Sequence, residues 1–129
     1  MNILITGASR GIGLATAKKL AEKGHHIGLF ATNTATLESA IKDKSFKKAL
    51  KQQRIITGQL DVTQPDSWDN AINQMIEHFG SIDALINNAG VLVSGALPTT
   101  SLDKQLALID INCKGVLIGC HKLAPYLAD

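Results

Sequence analysis

Hydrophobic residues along the chain follow two alternating patterns, short continuous runs and longer stretches with helical spacing. The continuous runs show little alternation, as expected for strands that are buried on both faces of a parallel sheet. They predict four strands, over Asn2–Thr6, Ile27–Ala31, Ile55–Val62 and Ala84–Asn87. Short strands that alternate with helices predict an α/β fold built from stacked βαβ units.

The clearest helical stretch lies between the third and fourth strands. Its apolar stripe has the spacing i, i+4, i+7, i+8 and i+11, formed by Trp68, Ile72, Met75, Ile76 and Phe79. Thr63 with Asp66 three residues later, and Pro65 in the first turn, predict where this helix begins. Gly80 predicts its end.

Two further helical stretches lie near the ends of the chain. The first covers about residues 11–23 and stops at Gly24, again because glycine suits the end of a helix. The second keeps helical spacing from Leu102 to Leu127, and no fifth strand follows it in these 129 residues. We therefore expect a fold that is truncated before a fifth strand.

Composition bounds the class of protein. With 129 residues, 45% of them hydrophobic, a single domain over residues 1–129 is expected. The formal charge of +2 gives no reason to expect a nucleic-acid or membrane partner. Cys113 and Cys120 lie about two turns apart on one helix face, too far for a disulfide. A reducing, cytoplasmic setting is the expectation.

Basic residues are concentrated in one run. Six of the thirteen fall between Lys42 and Arg54, and only Asp43 opposes them. The preferred interpretation is the solvated face and exit loop of a surface helix. The alternative, an anion-binding patch, has no interleaved aromatic residues to support it.

A glycine-rich segment, TGASRGIG, joins the first strand to the first helix. Gly7 permits a tight turn, Gly11 lets the backbone approach a diphosphate, and Gly13 lets the helix pack against the sheet. The helix N-terminus then offers free amides and the positive end of a dipole to the ligand. The segment predicts a nucleotide phosphate site. It is not a mononucleotide P-loop, because Gly-Lys-Ser/Thr is absent.

Three later segments follow the glycine loop in order, LDVT at residues 60–63, NNAG at residues 87–90 and DIN at residues 110–112. With the Thr-Gly-x-x-x-Gly-x-Gly pattern of residues 6–13, they resemble the short-chain dehydrogenases/reductases over essentially the whole chain. The resemblance implies a Rossmann-like parallel sheet in the order 3-2-1-4, flanked by helices. It also implies an oxidoreductase that transfers hydride between a nicotinamide cofactor and a carbonyl or alcohol carbon, and this chain matches its N-terminal, cofactor-binding half.

The resemblance assigns roles to individual residues. Asp61 would contact the adenine, and Asn112 would be the active-site asparagine that helps to position a water in the proton relay. The cofactor-binding residues would be Gly7, Ser9, Arg10, Gly11, Ile12, Gly13, Thr32, Asp61, Val62, Asn88, Ala89 and Gly90. No metal site is expected, because the four histidines have no spacing typical of metal ligands.

Each of these assignments has a simpler alternative. Asn87 and Asn88 are also typical turn formers beside Gly90, and Asp61 is also compatible with an ordinary surface carboxylate after a strand. Asn112 lies within a helical stretch, where asparagine lowers helix stability, so its amide is expected to hydrogen-bond a specific partner.

The choice between NAD and NADP depends on the end of the second strand. An acidic residue there would bind the ribose 2′-hydroxyl and reject a 2′-phosphate, but the segment reads FATN over residues 30–33. Arg10 in the glycine loop is placed to pair with a 2′-phosphate. Many NADP-using relatives carry a second basic residue where this chain has Thr32. NADP(H) is therefore preferred over NAD(H) as a hypothesis.

The family's remaining catalytic residues are missing from these 129 residues. Its Tyr-x-x-x-Lys is absent, since the only tyrosine is Tyr126, and Ser94 and Ser101 precede Asn112 and come too early for its serine. Two hypotheses follow: a cofactor-binding half that is inactive alone, or a standalone nucleotide-binding or self-associating module without catalysis. An unpaired edge on the fourth strand predicts self-association in either case.

Overall fold

The computed structural model describes residues 1–127, so the last two residues of the predicted domain lie outside it. Four strands alternate with six α-helices. The strands are β1 (Asn2–Thr6), β2 (His26–Ala31), β3 (Ile55–Gln59) and β4 (Ala84–Ile86). The helices are α1 (Gly11–Glu22), α2 (Thr34–Ala40), α3 (Lys47–Lys51), α4 (Pro65–Phe79), α5 (Leu102–Ile109) and α6 (Gly115–Leu127). A 3₁₀ turn, Lys44–Phe46, precedes α3, and a π-helical segment, Asp110–Lys114, joins α5 to α6.

The four strands form one parallel sheet in the order β3-β2-β1-β4, which confirms the predicted order. Ile5 of β1 is in register with Leu29 of β2 on one side and with Ile86 of β4 on the other. The chain first builds outward from β1 to β3 and then crosses to the opposite side of β1. In such a sheet, the carboxyl ends of β1 and β4 border a crevice at the topological switch point.

Two hydrophobic cores cover the two faces of the sheet, because successive side chains of a strand point to opposite faces. Ile3 and Ile5 of β1 belong to the core that α1, α2 and the Lys44–Phe46 turn cover. Leu4 belongs to the opposite core, beneath α4 and α6. The side chains of that second core include Leu4, Phe30, Leu60, Trp68, Ile72, Met75 and Leu123.

Pro65 lies in the first turn of α4 as predicted, but the N-cap residue differs from the prediction. The helix begins at Pro65, and its N-cap is Gln64, whose side chain makes no capping hydrogen bond. Thr63 does not cap the helix, because both its backbone N–H and its hydroxyl donate to Asp61 Oδ1, at 2.9 and 2.7 Å. The predicted end is confirmed, since Gly80 has a left-handed φ of 81° at the C-cap.

The third and fourth strands are shorter than predicted, ending at Gln59 and Ile86. Leu60 N–H still donates to the Ala31 carbonyl of β2 at 3.0 Å, but the N–H of Asp61 donates to the Ser67 hydroxyl at 3.0 Å. The chain therefore leaves the sheet at Asp61 and turns toward α4, which places that carboxylate beyond the carboxyl edge.

The basic run does not form one continuous helix. It is divided among a turn, the Lys44–Phe46 segment and α3, and its five lysines are exposed. Phe46 is fully buried, and Lys18 of α1 forms a 2.7 Å ion pair with Asp43. These two contacts attach the segment to α1 while its lysines remain in solvent.

The last two helices lie over the β4 side of the molecule. α6 packs on α4, with Gly119 against the indole of Trp68 and Lys122 Nζ 2.7 Å from Asp69 Oδ2. Exposed apolar side chains remain on this pair of helices, and they include Leu102, Leu106, Ile109 and Leu117. Within residues 1–127, no helix is both long enough and apolar enough to cross a membrane.

Candidate functional site

The glycine loop leaves β1 in a conformation that favours glycine. Gly7 and Gly11 have left-handed φ values of 62° and 57°. A Cβ on Gly7 would also lie only 2.8 Å from the Ala89 Cα, so this glycine permits close backbone contact. A Cβ on Gly11 would have no atom within 4 Å, so its conformation leaves an open surface at the start of α1. That helix has no acidic residue in its first turn, which suits an anion at its positive end.

Thr6 and Asn88 connect the glycine loop to the segment after β4. The buried Thr6 hydroxyl oxygen accepts from the backbone N–H groups of Asn88 and Ala89, at 3.0 and 2.9 Å. The Asn88 side-chain amide donates to the carbonyls of Thr6 and Gly7, both at 3.1 Å. Asn88 therefore bonds to residues more than eighty positions earlier, and it fixes the spacing of the β1 and β4 ends.

The segment after β3 is held by the first turns of α4. The Trp68 indole N–H donates to the Val62 carbonyl at 3.0 Å, and the Ser67 hydroxyl accepts from Asp61 N–H. A Cβ on Gly115 of α6 would lie 2.6 Å from Val62 Cγ2, so α6 closes on this segment as well. These contacts give the Asp61 carboxylate a fixed backbone.

One cavity of about 580 Å³ lies at the carboxyl ends of the strands, within the size range of small-molecule sites. The predicted cofactor residues that line it are Gly7, Ser9, Arg10, Gly11, Thr32, Asp61, Val62, Asn88, Ala89 and Gly90. Ile12 and Gly13 do not line it. Ile12 is 80% exposed on α1, and Gly13 is buried beneath the loop.

Asn112 lies beside this cavity, in the π-helical segment between α5 and α6. Its Oδ1 accepts from the Val91 N–H and its Nδ2 donates to the Val91 carbonyl, both at 2.8 Å. The predicted specific hydrogen bonding of this amide is confirmed. The pair joins Asn112 to the end of the NNAG segment, where a Cβ on Gly90 would lie 3.3 Å from Asn112 Oδ1.

Several residues that line the cavity were not predicted from the sequence. They are Ala31, Leu60, Thr63, Val91, Ala107, Asp110 and Ile111. Thr63 was accessible to sequence reasoning, because a threonine two residues after an aspartate often donates to that carboxylate. Ala107 and Ile111 were not, since their position depends on how the loop after β4 returns the chain to the cavity.

The charges around the cavity are few. Arg10, Asp61 and Asp110 line it, and the Asp110 carboxylate forms a 2.9 Å ion pair with Lys114 one turn later. Within residues 1–127, no three His, Cys, Asp or Glu side chains converge as metal ligands. The arrangement offers a ligand the Arg10 guanidinium, the Asp61 carboxylate and a helix N-terminus, whereas the Asp110 carboxylate is already ion-paired. These groups suit an anionic molecule that also donates hydrogen bonds.

Comparisons with known proteins agree on one family. The family model for short chain dehydrogenases matches residues 1–129. An uncharacterized oxidoreductase of Staphylococcus saprophyticus is 35% identical over 125 residues, which are 97% of this chain and 48% of that protein. The chain thus spans about half the length of the curated relatives it matches.

Solved structures give the same result for the fold. A short-chain dehydrogenase/reductase of Brucella melitensis, described as a glucose/ribitol dehydrogenase, has a TM-score of 0.89 at 26% identity, covering 99% of this chain and 52% of that one. A 3-ketoacyl-(acyl-carrier-protein) reductase of the same organism, complexed with NADH, has a TM-score of 0.84 at 24% identity, covering 96% and 49%. This chain therefore belongs to the short-chain dehydrogenase family.

Proposed function

We propose that this chain is the NADP(H)-binding half of a short-chain oxidoreductase, which transfers hydride between the nicotinamide and a carbonyl or alcohol carbon. In this proposal, residues 1–129 form the N-terminal part of a longer domain. The observation that carries it is the cavity at the switch point of the sheet, where the glycine loop, Asp61 and the NNAG segment meet. The family binds NAD(P)(H), and the cavity's donors suit such a dinucleotide.

Each part of the cofactor has suitable residues in the cavity. The diphosphate would lie at Gly11 and the N-terminus of α1, where the open surface and the helix dipole favour an anion. The adenine would lie at Asp61 and Val62, and the nicotinamide would extend toward Gly90. When bound, the cofactor supplies the hydride. We propose that Asn112 is the active-site asparagine, which also holds the backbone of Val91 beside the nicotinamide.

The preference for NADP(H) over NAD(H) rests on the charges near the end of β2. Thr32 lines the cavity without a carboxylate, and Arg10 provides a guanidinium in the same cavity. A guanidinium pairs with phosphate by charge-assisted, bidentate hydrogen bonds. The Thr32 carbonyl accepts from Gln59 Nε2 at 3.2 Å, which anchors this strand end to β3.

Titration of the chain with NADPH and with NADH tests this preference. We expect tighter binding of NADPH, and we expect Arg10→Ala to weaken NADPH while leaving NADH nearly unchanged. Lys51→Ala is the matched control, because Lys51 is basic and exposed but does not line the cavity. Tighter binding of NADH by the wild-type chain contradicts the preference, and no binding of either nucleotide contradicts the proposed function.

We also propose that these 129 residues bind the cofactor without turning it over. The family's Tyr-x-x-x-Lys is absent, and Tyr126, the only tyrosine, lies on α6 and is 48% exposed. Steady NADPH-dependent reduction of a ketone by the purified chain, at a rate above the uncatalysed control, would contradict this.

A self-associating module is the second candidate function. Leu102, Leu106 and Ile109 of α5 are half exposed or more, and β4 pairs only with β1 among residues 1–127. Exposed apolar surface and an open strand edge both favour association. We expect light scattering of the purified chain at micromolar concentration, under reducing conditions, to show a dimer or a larger species. The proposed location of the protein is the cytoplasm. A clean monomer contradicts this candidate.

A further inference from the structure

The Asp61 carboxylate uses its two oxygens differently. Oδ1 accepts from both the N–H and the hydroxyl of Thr63, at 2.9 and 2.7 Å. Oδ2 accepts no hydrogen bond from any donor within residues 1–127. Asp61 and Thr63 both line the cavity. One oxygen is therefore occupied by the protein, and the other is available to a ligand.

The hydroxyl of Thr63 limits the rotation of this carboxylate. The last torsion of an aspartate side chain is broad and roughly twofold, so a carboxylate with one anchor turns easily. Two donors on the same oxygen restrict that rotation. The backbone on either side is already held, because Ser67 accepts from Asp61 N–H and Trp68 donates to the Val62 carbonyl.

We propose that Thr63 is a positioning residue, which holds Asp61 so that Oδ2 accepts a hydrogen bond from the amino group of adenine. The inference rests on the proposed dinucleotide site and adds the residue that makes it selective for the base. At C6 of the purine ring, adenine carries an amino group, which is a donor, whereas hypoxanthine carries a carbonyl oxygen, which is an acceptor. A fixed carboxylate oxygen accepts a hydrogen bond from adenine, but it forms none with the carbonyl oxygen of hypoxanthine.

Nucleotide titrations of matched variants test this proposal. The probes are NADPH and its hypoxanthine analogue, and the variants are Thr63→Val, Thr63→Ser and Thr57→Val. Valine keeps the shape of threonine and its backbone N–H but removes the hydroxyl, whereas serine keeps the hydroxyl. Thr57 lies on β3 and does not line the cavity, so Thr57→Val controls for the same change elsewhere.

We expect Thr63→Val to weaken NADPH binding about fivefold, as for the loss of one hydrogen bond. Thr63→Ser restores binding to about twofold of the wild type. The hypoxanthine analogue binds the wild type more weakly, and Thr63→Val weakens it no further, because the contact that Thr63 supports is already lost. This loss of coupling is a result that general damage to the fold does not produce.

Two results would overturn the proposal while leaving the proposed function intact. One is that Thr63→Val binds NADPH as tightly as the wild type. The other is that it weakens both nucleotides by the same factor, which indicates structural damage. If Thr63→Val melts at a lower temperature than the wild type, Thr63→Ala removes the same donor with less bulk and is subject to the same comparison. Failure of the wild type to bind either nucleotide overturns the proposed function as well.

Discussion

In the variant Gly13→Ala, two physical effects change the stability of the fold in opposite directions. Gly13 lies in the first turn of α1, where alanine is about 0.8–1 kcal/mol more favourable than glycine in a helix. Propensity alone therefore predicts a more stable variant. However, the added Cβ would lie 2.5 Å from the Gly7 carbonyl oxygen and would also overlap the side-chain amide of Asn88. Steric overlap predicts a less stable variant, so the sign of the change separates the two.

The magnitude can be worked out from these contacts. Overpacking costs about 1–3 kcal/mol. Displacement of the Asn88 amide loses its two 3.1 Å hydrogen bonds, to the carbonyls of Thr6 and Gly7. Each contributes about 0.5–1.5 kcal/mol. After subtraction of the helix gain, the net loss is about 3 kcal/mol, which lowers the Tm by about 10 °C for a chain of this size.

Thermal and urea denaturation followed by circular dichroism measure this loss. The matched control is Gly24→Ala, at the other end of α1, where φ is 92° but a Cβ meets no atom within 4 Å. That variant carries only the cost of a left-handed backbone, about 1–2 kcal/mol. We expect Gly13→Ala to be the less stable of the two. A Gly13→Ala chain as stable as the wild type would refute the packing argument.

Three further predictions concern other parts of the molecule. Gly11→Ala costs only about 1–2 kcal/mol of stability, but NADPH titration is expected to show at least about tenfold weaker binding, because the Cβ occupies the phosphate surface. Thr6→Val leaves the amides of Asn88 and Ala89 without their acceptor and costs about 2–4 kcal/mol in urea denaturation, whereas Thr6→Ser costs less. Asp43→Asn tests a pH dependence: the hydrogen bond from Lys18, and then that from the Ser45 N–H, hold the pKa of Asp43 well below its usual 3.8. Because the folded pKa is lowered, the stabilisation is present above pH 3.8 and is lost as the pH falls from there through the folded pKa. The stability gap between wild type and Asp43→Asn should therefore close on acidification in a series of urea titrations.

The strands and their order were predictable because buried parallel strands have a strong and simple pattern. β1 agrees with its prediction at both ends, and β2 begins one residue earlier, at His26. The strand order followed from the family resemblance, and its physical basis is the crossover after β3 that places β4 beside β1. Short helices were less visible. α2 and α3 have too few residues to show a helical stripe, and buried anchors such as Leu37 and Phe46 hold this region in place.

The prediction that Thr63 caps α4 was wrong because two local structures compete for the hydroxyl of Thr63. Thr63 suits a helix N-cap, and it equally suits a bond to an aspartate two residues before it. The structure selects the second, since Ser67 accepts from the N–H of Asp61 and holds the carboxylate within reach of Thr63. The spacing of these residues in the sequence is compatible with both structures. It does not reveal the contact between Asp61 and Ser67 that favours one of them.

In the candidate site too, the local backbone features were predictable from the sequence, whereas the tertiary contacts were not. Gly7 and Gly11 were predictable because a left-handed backbone leaves a mark in the sequence, and the motifs converge because each follows a strand of one parallel sheet. The contacts between motifs leave no such mark. Asn112 was expected to have a partner, because asparagine lowers the stability of a helix, but Val91 could be identified only from the return path of the loop after β4. The cost of asparagine within a helix is the same whichever group its amide bonds. The sequence can therefore predict that the amide has a hydrogen-bond partner, and the tertiary fold decides which group that partner is.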